Sequence, residues 1–240
     1  MKVLAVLLLC AFVAVQGRSS AVGKSTEAAL GDNPWLVHLR LAISTSGYLR
    51  TGAGVLVSDR WVLSSALATA DARFIWIRYG VVTVINPSLV TEASIVSNSD
   101  DVQFTLININ RSIKSTDYIS PVSLSAAVAV PETGTIAVFG EDDNGVPNEI
   151  LKSLAVSLVS QDDGSIVASS EEGTTYESDL GAPLVSDGVL VAVLIEKGSD
   201  NAGTFLPVVG YLDWIKNQTE VELSSRSAQL DDSLRVQFAN

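Results

Sequence analysis

The chain has 240 residues, a formal charge of −12 and one histidine and one cysteine. So acidic a protein lacks the basic footprint that nucleic acid or an anionic membrane surface requires. With a single His and a single Cys no Cys/His metal cluster is possible, so neither metal nor cofactor is expected.

In chain order, Met1-Lys2 precede an apolar run from Val3 to Val15, which closes at Gln16-Gly17. One basic residue, a short apolar stretch and a small residue predict a secretory signal peptide over residues 1–17. The run is too short to span a bilayer, which takes about 20 apolar residues. It also contains Cys10, so a secreted, extracellular product is expected to carry neither thiol nor disulfide and to fold on its core alone. Loss of Lys2 with the leader makes the mature chain one unit more acidic.

Residues 18–30 are small and polar, and an irregular arm is expected there. Pro34-Trp35 followed by alternating Leu36 to Arg40 predicts a turn and a half-buried strand. Two short strands joined at Ser58-Asp59-Arg60 would put Trp61 and Leu63 on one face. Further β-rich runs follow at Phe74–Tyr79, Val81–Ile85, Ala93–Val96, Thr135–Gly140, Leu151–Val156 and Val189–Ile195. Short strands with Gly, Asn and Asp between them give an all-β sandwich or barrel, and the spacing does not choose between the two. Tyr211, Trp214 and Ile215 have the spacing of a helix face docked on the body. Residues 220–240 are polar and read as a mobile tail. Asn110-Arg111-Ser112 and Asn217-Gln218-Thr219 are candidate glycosylation triplets, with Asn110 and Asn217 as acceptors.

Several blocks, in order, resemble the chymotrypsin/trypsin-like serine proteases. They are Gly31–Arg40, Gly54–Ala68, Asp100–Ile107, Tyr118–Leu124, Ser178–Val185 and Gly203–Ile215. The resemblance runs from about Gly31 to Asn217 and implies two six-stranded antiparallel β-barrels with a short C-terminal helix. It divides a domain of residues 31–219 into barrels of about 31–125 and 126–208 and a helix of about 209–218.

The family's chemistry needs a nucleophile, a base and an orienting acid. The resemblance assigns those positions to Leu180, Leu67 and Asp101, so only the acid is retained. Leucine has neither a proton to exchange nor a lone pair for attack. The two leucines are expected to pack together as an apolar plug. Ser178 stands where the family has an oxyanion-loop glycine, followed by Asp179, whose usual partner is a freed N-terminal amine. The nearest counterpart of that terminus is Ala21-Val22-Gly23-Lys24, behind Ser20, so no zymogen switch is evident. The specificity pocket maps to Thr174 at its base and Ile195-Glu196-Lys197 along its wall, a degenerate pocket. The family's cysteines flanking these loops map to Gly52, Ala68 and Tyr176. His38 is expected at a surface or on an edge strand, away from the cleft.

The expectation is thus a pseudoprotease on a fold that would otherwise suggest a serine endopeptidase. It resembles the secreted non-catalytic homologues frequent in insect body fluids, which act in innate immunity as cofactors, decoys or regulators. The implied partners are extracellular proteins: proteases, inhibitors or immune zymogens. The cysteine-rich clip domain common in such cofactors is missing from the sequence. The alternative is a structural or storage protein of a secretion, and a residual hydrolase using Ser178 is the third reading.

Overall fold

The computed structural model describes residues 26–43, 47–93, 96–171, 173–199 and 201–219. The expected signal peptide with Cys10, the Ala21–Lys24 segment and the 220–240 tail lie outside the described residues.

Alternation of apolar and polar residues builds the first barrel. Its elements are β2 (Leu36–Ala42), β3 (Leu49–Leu56), β4 (Trp61–Ser65), α1 (Ala66–Thr69), β5 (Phe74–Tyr79), β6 (Leu89–Ala93), β7 (Val96–Asn98) and β8 (Phe104–Asn108), after β1 (Thr26–Glu27). The antiparallel ladder runs β6-β5-β2-β3-β4-β8-β7. Its two ends, β6 and β7, are consecutive strands of the chain. Val37, Leu39 and Leu41 point inward against Ile75, Ile77 and Tyr79, as a period of two requires. Trp61 and Leu63 share one face, as expected, while Val62 turns into the barrel.

The second barrel uses β10 (Thr133–Val138), β11 (Lys152–Ser160), β12 (Ile166–Ser169), β13 (Pro183–Ser186), β14 (Val189–Glu196) and β15 (Ala202–Pro207). These six strands close on themselves through the order β10-β13-β14-β15-β12-β11. Preceding them, β9 (Ser123–Leu124) lies parallel to β14. The arm expected to be irregular contributes β1 to this barrel, with Thr26 opposite Ser153 and Glu27 opposite Lys152. On that side of β11, β12 pairs only with Ser157–Ser160, which leaves the backbone of Lys152 and Ser153 open to β1.

A third apolar cluster joins the barrels. Val55, Leu63, Phe104 and Leu106 meet Leu190, Val193, Val208, Leu212 and Ile215 there. The last two sit on α2 (Leu212–Thr219), which follows a 3₁₀ turn over Val208–Tyr211. Ile215 is fully buried, which is worth about 1.5–3 kcal/mol. Tyr211 and Trp214 lie against the same cluster, so the docked face read from the sequence is the face that packs.

Candidate functional site: the cleft between the barrels

The loop from Tyr176 to Ala182 enters the cleft as a 3₁₀ turn over Glu177–Asp179. Two backbone bonds fix the sharp bend after it: Ala53 N–H donates to Leu180 O at 2.8 Å, and Gly181 N–H to Leu194 O at 2.9 Å. Gly181 has φ of 90°, and a Cβ there would lie 2.1 Å from Ala53 O, so no other residue fits. This staple holds the Leu180 side chain, 3 % exposed, in the second barrel's core with Ala53 and Ala68.

Leu67 stands on α1 but points away from that core. The Ser65 hydroxyl caps the turn by accepting from Leu67 N at 3.2 Å. Arg50 Nη2 holds its far end through Ala68 O at 2.9 Å and Ala70 O at 2.6 Å. The helix buries Ala66, Ala68 and Thr69 and leaves Leu67 57 % exposed. The expected Leu67–Leu180 plug is therefore not formed. A single short turn presents only one face to the core, and Leu67 is on the other.

Asp101 is also turned elsewhere. Its carboxylate accepts from Ser99 Oγ at 2.7 Å, from Gln103 N at 3.3 Å and from the Tyr211 hydroxyl. Burial pushes this carboxyl up, but the hydrogen bonds from Tyr211, Ser99 and Gln103 outweigh it and hold it below its ordinary value. Burial, then Asp101, raise Tyr211 in turn. Asp101 thus ties the segment before α2 to the first barrel, reinforced by an edge contact of Tyr211 on Phe104 at 4.5 Å. The residue beside α1 is Gln103, whose carbonyl accepts from Ala66 N at 2.9 Å.

The amides of the loop that the resemblance assigns to the oxyanion hole are engaged within the protein. Ser178 N donates to Glu141 Oε1 at 3.0 Å, and Leu180 N to Glu177 O at 3.3 Å. The Ser178 hydroxyl faces Gly140 O at 3.4 Å. Asp179 is fully buried and accepts from Phe139 N at 2.9 Å and from Gly140 N and Tyr176 N, each at 3.0 Å. Burial outweighs these three amides and pushes its carboxyl up to about 6. No cation lies within ion-pair distance of it among the described residues.

The model of the trypsin family matches residues 22–215. The chain belongs to the trypsin family. It is 25% identical over 250 residues to the Factor V activator of Macrovipera lebetinus, covering 90% of this chain and 94% of that protein. Among solved structures, HL collagenase superposes with a TM-score of 0.72 at 19% identity, over 83% of this chain and 99% of that one. A scabies mite inactivated protease paralogue, S-D1, gives a TM-score of 0.72 at 18% identity, over 85% and 99% of the respective chains.

On this trypsin-family body Thr175, next to the position assigned to the base of the specificity pocket, makes close contacts with the segments after β14 and in β15. Gly198 N donates to Thr175 Oγ1 at 3.0 Å, and a Cβ on Gly203 would lie 2.5 Å from the same oxygen. Thr174, half-buried, has its hydroxyl 3.5 Å from Thr175 O. Ile195 sits at a register shift between Leu194 and Glu196 and packs on the inter-barrel cluster. Glu196 is exposed, and Lys197 reaches Glu177 at 3.7 Å. Asn110 and Asn217 are both exposed.

His38 departs most from expectation. It lies on β2, paired on both sides, and is only 2 % exposed. Its ring meets the edge of Phe139 at 5.1 Å, and it lines a hollow shared with Ser178. An outward position on the first barrel is buried here because the second barrel covers it. Burial first, then Arg78 and Arg40, lower it to about 3, so it is neutral at physiological pH. Sequence reasoning also missed Glu141, Thr175 and Gln103. Only their distant partners give them a role, and no local pattern marks them.

Proposed function

We propose that this trypsin-family chain is a secreted protein without peptidase activity that acts by binding other extracellular proteins. The observation that carries the reading is the residue pair Leu67 and Leu180, at the positions the resemblance assigns to base and nucleophile. An acyl transfer has nothing to start from there. Three further features support it. The Ser178 amide is spent on Glu141, which removes a donor from any oxyanion hole. The Ser178 hydroxyl has a carbonyl as its neighbour, not a base. The chain's single histidine holds its charge-free form far below the range in which a general base works.

The apolar run of residues 3–15 supports secretion, and no described helix is long and apolar enough to cross a membrane. The Macrovipera relative is described as an activator of Factor V, and the mite protein as an inactivated protease paralogue. The second carries the same fold under a name that declares its chemistry lost. Partners of this chain are accordingly sought among extracellular proteases, their inhibitors and immune zymogens.

The test is covalent labelling of the purified mature protein with a serine-directed phosphonate, alongside a peptide-hydrolysis assay. No labelling and no turnover are expected. Labelling that disappears in Ser178→Ala would overturn the reading and establish an unconventional hydrolase.

A further inference from the structure

Beside the loop that carries Ser178, β2, β3 and β5 bring Arg40, Arg50 and Arg78 to one hollow of about 410 Å³. Register accounts for part of this. His38 stands opposite Arg78 across the β2–β5 ladder, and Arg40 is two residues along β2, so all three share the outward face. Arg50 comes from the neighbouring strand, with its Nη2 already donated to Ala68 and Ala70 carbonyls.

Cations are scarce in this chain, which has 27 acidic residues against 15 basic ones. Yet none of these three arginines has a carboxylate within ion-pair distance among the described residues, where the ion pair is Lys197–Glu177. Arg78 Nη1 donates instead to Val84 O at 3.2 Å, and burial first, then the charge of Arg40, lower the Arg78 pKa. Two nitrogens at the same place are buried without a partner, His38 Nδ1 and Arg50 Nε. Buried donors are nearly always satisfied, and two orphans beside two guanidinium groups that have no carboxylate define a shared deficit. Every unmet group is a cation or, in the Nδ1–H tautomer of His38, a donor. The missing partner is therefore an acceptor with negative charge.

The geometry points to a binding site for a tetrahedral oxyanion, the sulfate or phosphate group of an ester. Guanidinium forks match its oxygens in pairs, and a third oxygen is free for the imidazole N–H. Glu141 and Glu177 also line the hollow. Glu141 already accepts the Ser178 amide, and Glu177 faces Lys197. Their charge repels a second anionic group, so the body of the ester is neutral or cationic. The volume exceeds that of the ion itself and leaves room for such a body. This inference stands apart from the absence of peptidase activity and survives if that reading fails.

The chain's single histidine makes the test clean, because one imidazole gives one set of ring signals. Long-range ¹H–¹⁵N spectra of His38 are recorded at pH 7 during titration with sodium sulfate, with sodium phosphate, and with sodium chloride at matched ionic strength. Expected is a saturable shift of the ring nitrogens, with half-saturation of about 1 mM, that chloride does not reproduce. The shift disappears in Arg40→Ala/Arg78→Ala. A response to sulfate alone or to phosphate alone assigns the ester, and a response to both supports the shared site. No saturable shift with either anion, or the same shift in the double variant, overturns the proposal. Should the double variant fail to fold, Arg40→Gln, at an exposed position, carries the same comparison.

Discussion

Leu67 and Leu180 respond differently to replacement, and the difference can be worked out from their surroundings. Leu180→Ser removes most of a side chain that is 3 % exposed and buried in the apolar cluster that also holds Ala53 and Ala68. Ala53, in the same cluster, is pinned by its N–H to Leu180 O at 2.8 Å. The walls are therefore poorly placed to collapse, and the loss falls in the upper half of the large-to-small range, about 4 kcal/mol. A hydroxyl left in the apolar hollow adds to this. Leu67→His changes a side chain that is 57 % exposed, so its effect stays within about 0.5 kcal/mol. Urea denaturation of the two single variants and the double gives each value from the midpoint at constant slope. The double variant is expected to be additive within about 0.5 kcal/mol, because the side chains occupy separate environments. It is also expected to show no peptidase activity, because the Ser178 amide stays on Glu141, and a missing oxyanion donor alone costs about 10²–10³ in rate. A cost for Leu67→His equal to that of Leu180→Ser, or a coupling above about 1 kcal/mol, would refute the reasoning. Either result would mean the leucines pack as one plug.

Two further perturbations probe the same loop. Asp179 titrates near 6 when folded against an ordinary value of 3.8, so the folded state holds the extra proton between those values. Its contribution is complete below pH 3.8 and is lost as pH rises through about 6, by about 3 kcal/mol at 1.36 kcal/mol per unit. Since asparagine does not titrate, the stability of wild type minus that of Asp179→Asn should fall by this amount between about pH 4 and 7; a flat or rising difference speaks against a burial-dominated carboxyl. Gly181→Ala combines a φ of 90° with a Cβ 2.1 Å from a backbone carbonyl, itself hydrogen-bonded by Ser64 at 2.7 Å. It should cost about 3 kcal/mol by thermal or urea unfolding, and a loss below about 1 kcal/mol would show that the bend is not stapled.

The sequence by itself determined most of the strands, although Val81–Ile85 forms only an isolated bridge at Thr83, and it named the residues at the positions the resemblance assigns to the site. Val37, Leu39 and Leu41 alternate with residues of the opposite face, and a period of two is a property of the backbone that needs no partner to be read. Tyr211, Trp214 and Ile215 announced a docked face in the same way. That leucines stand at the positions the resemblance assigns to base and nucleophile is likewise a matter of covalent chemistry, legible at once when set beside the family's motif. Burial is different, because it depends on what covers a residue from elsewhere in the chain. His38 looked superficial until Phe139 of the second barrel closed over it, and Leu67 looked like a plug until α1 turned it outward. Thr26 and Glu27 looked shapeless because their order comes from the open edge of Lys152 and Ser153. The arginine hollow rests on the register of β2 against β5 and on a loop from the other barrel. Which groups meet across barrels depends on long-range pairing, and only the tertiary structure decided it.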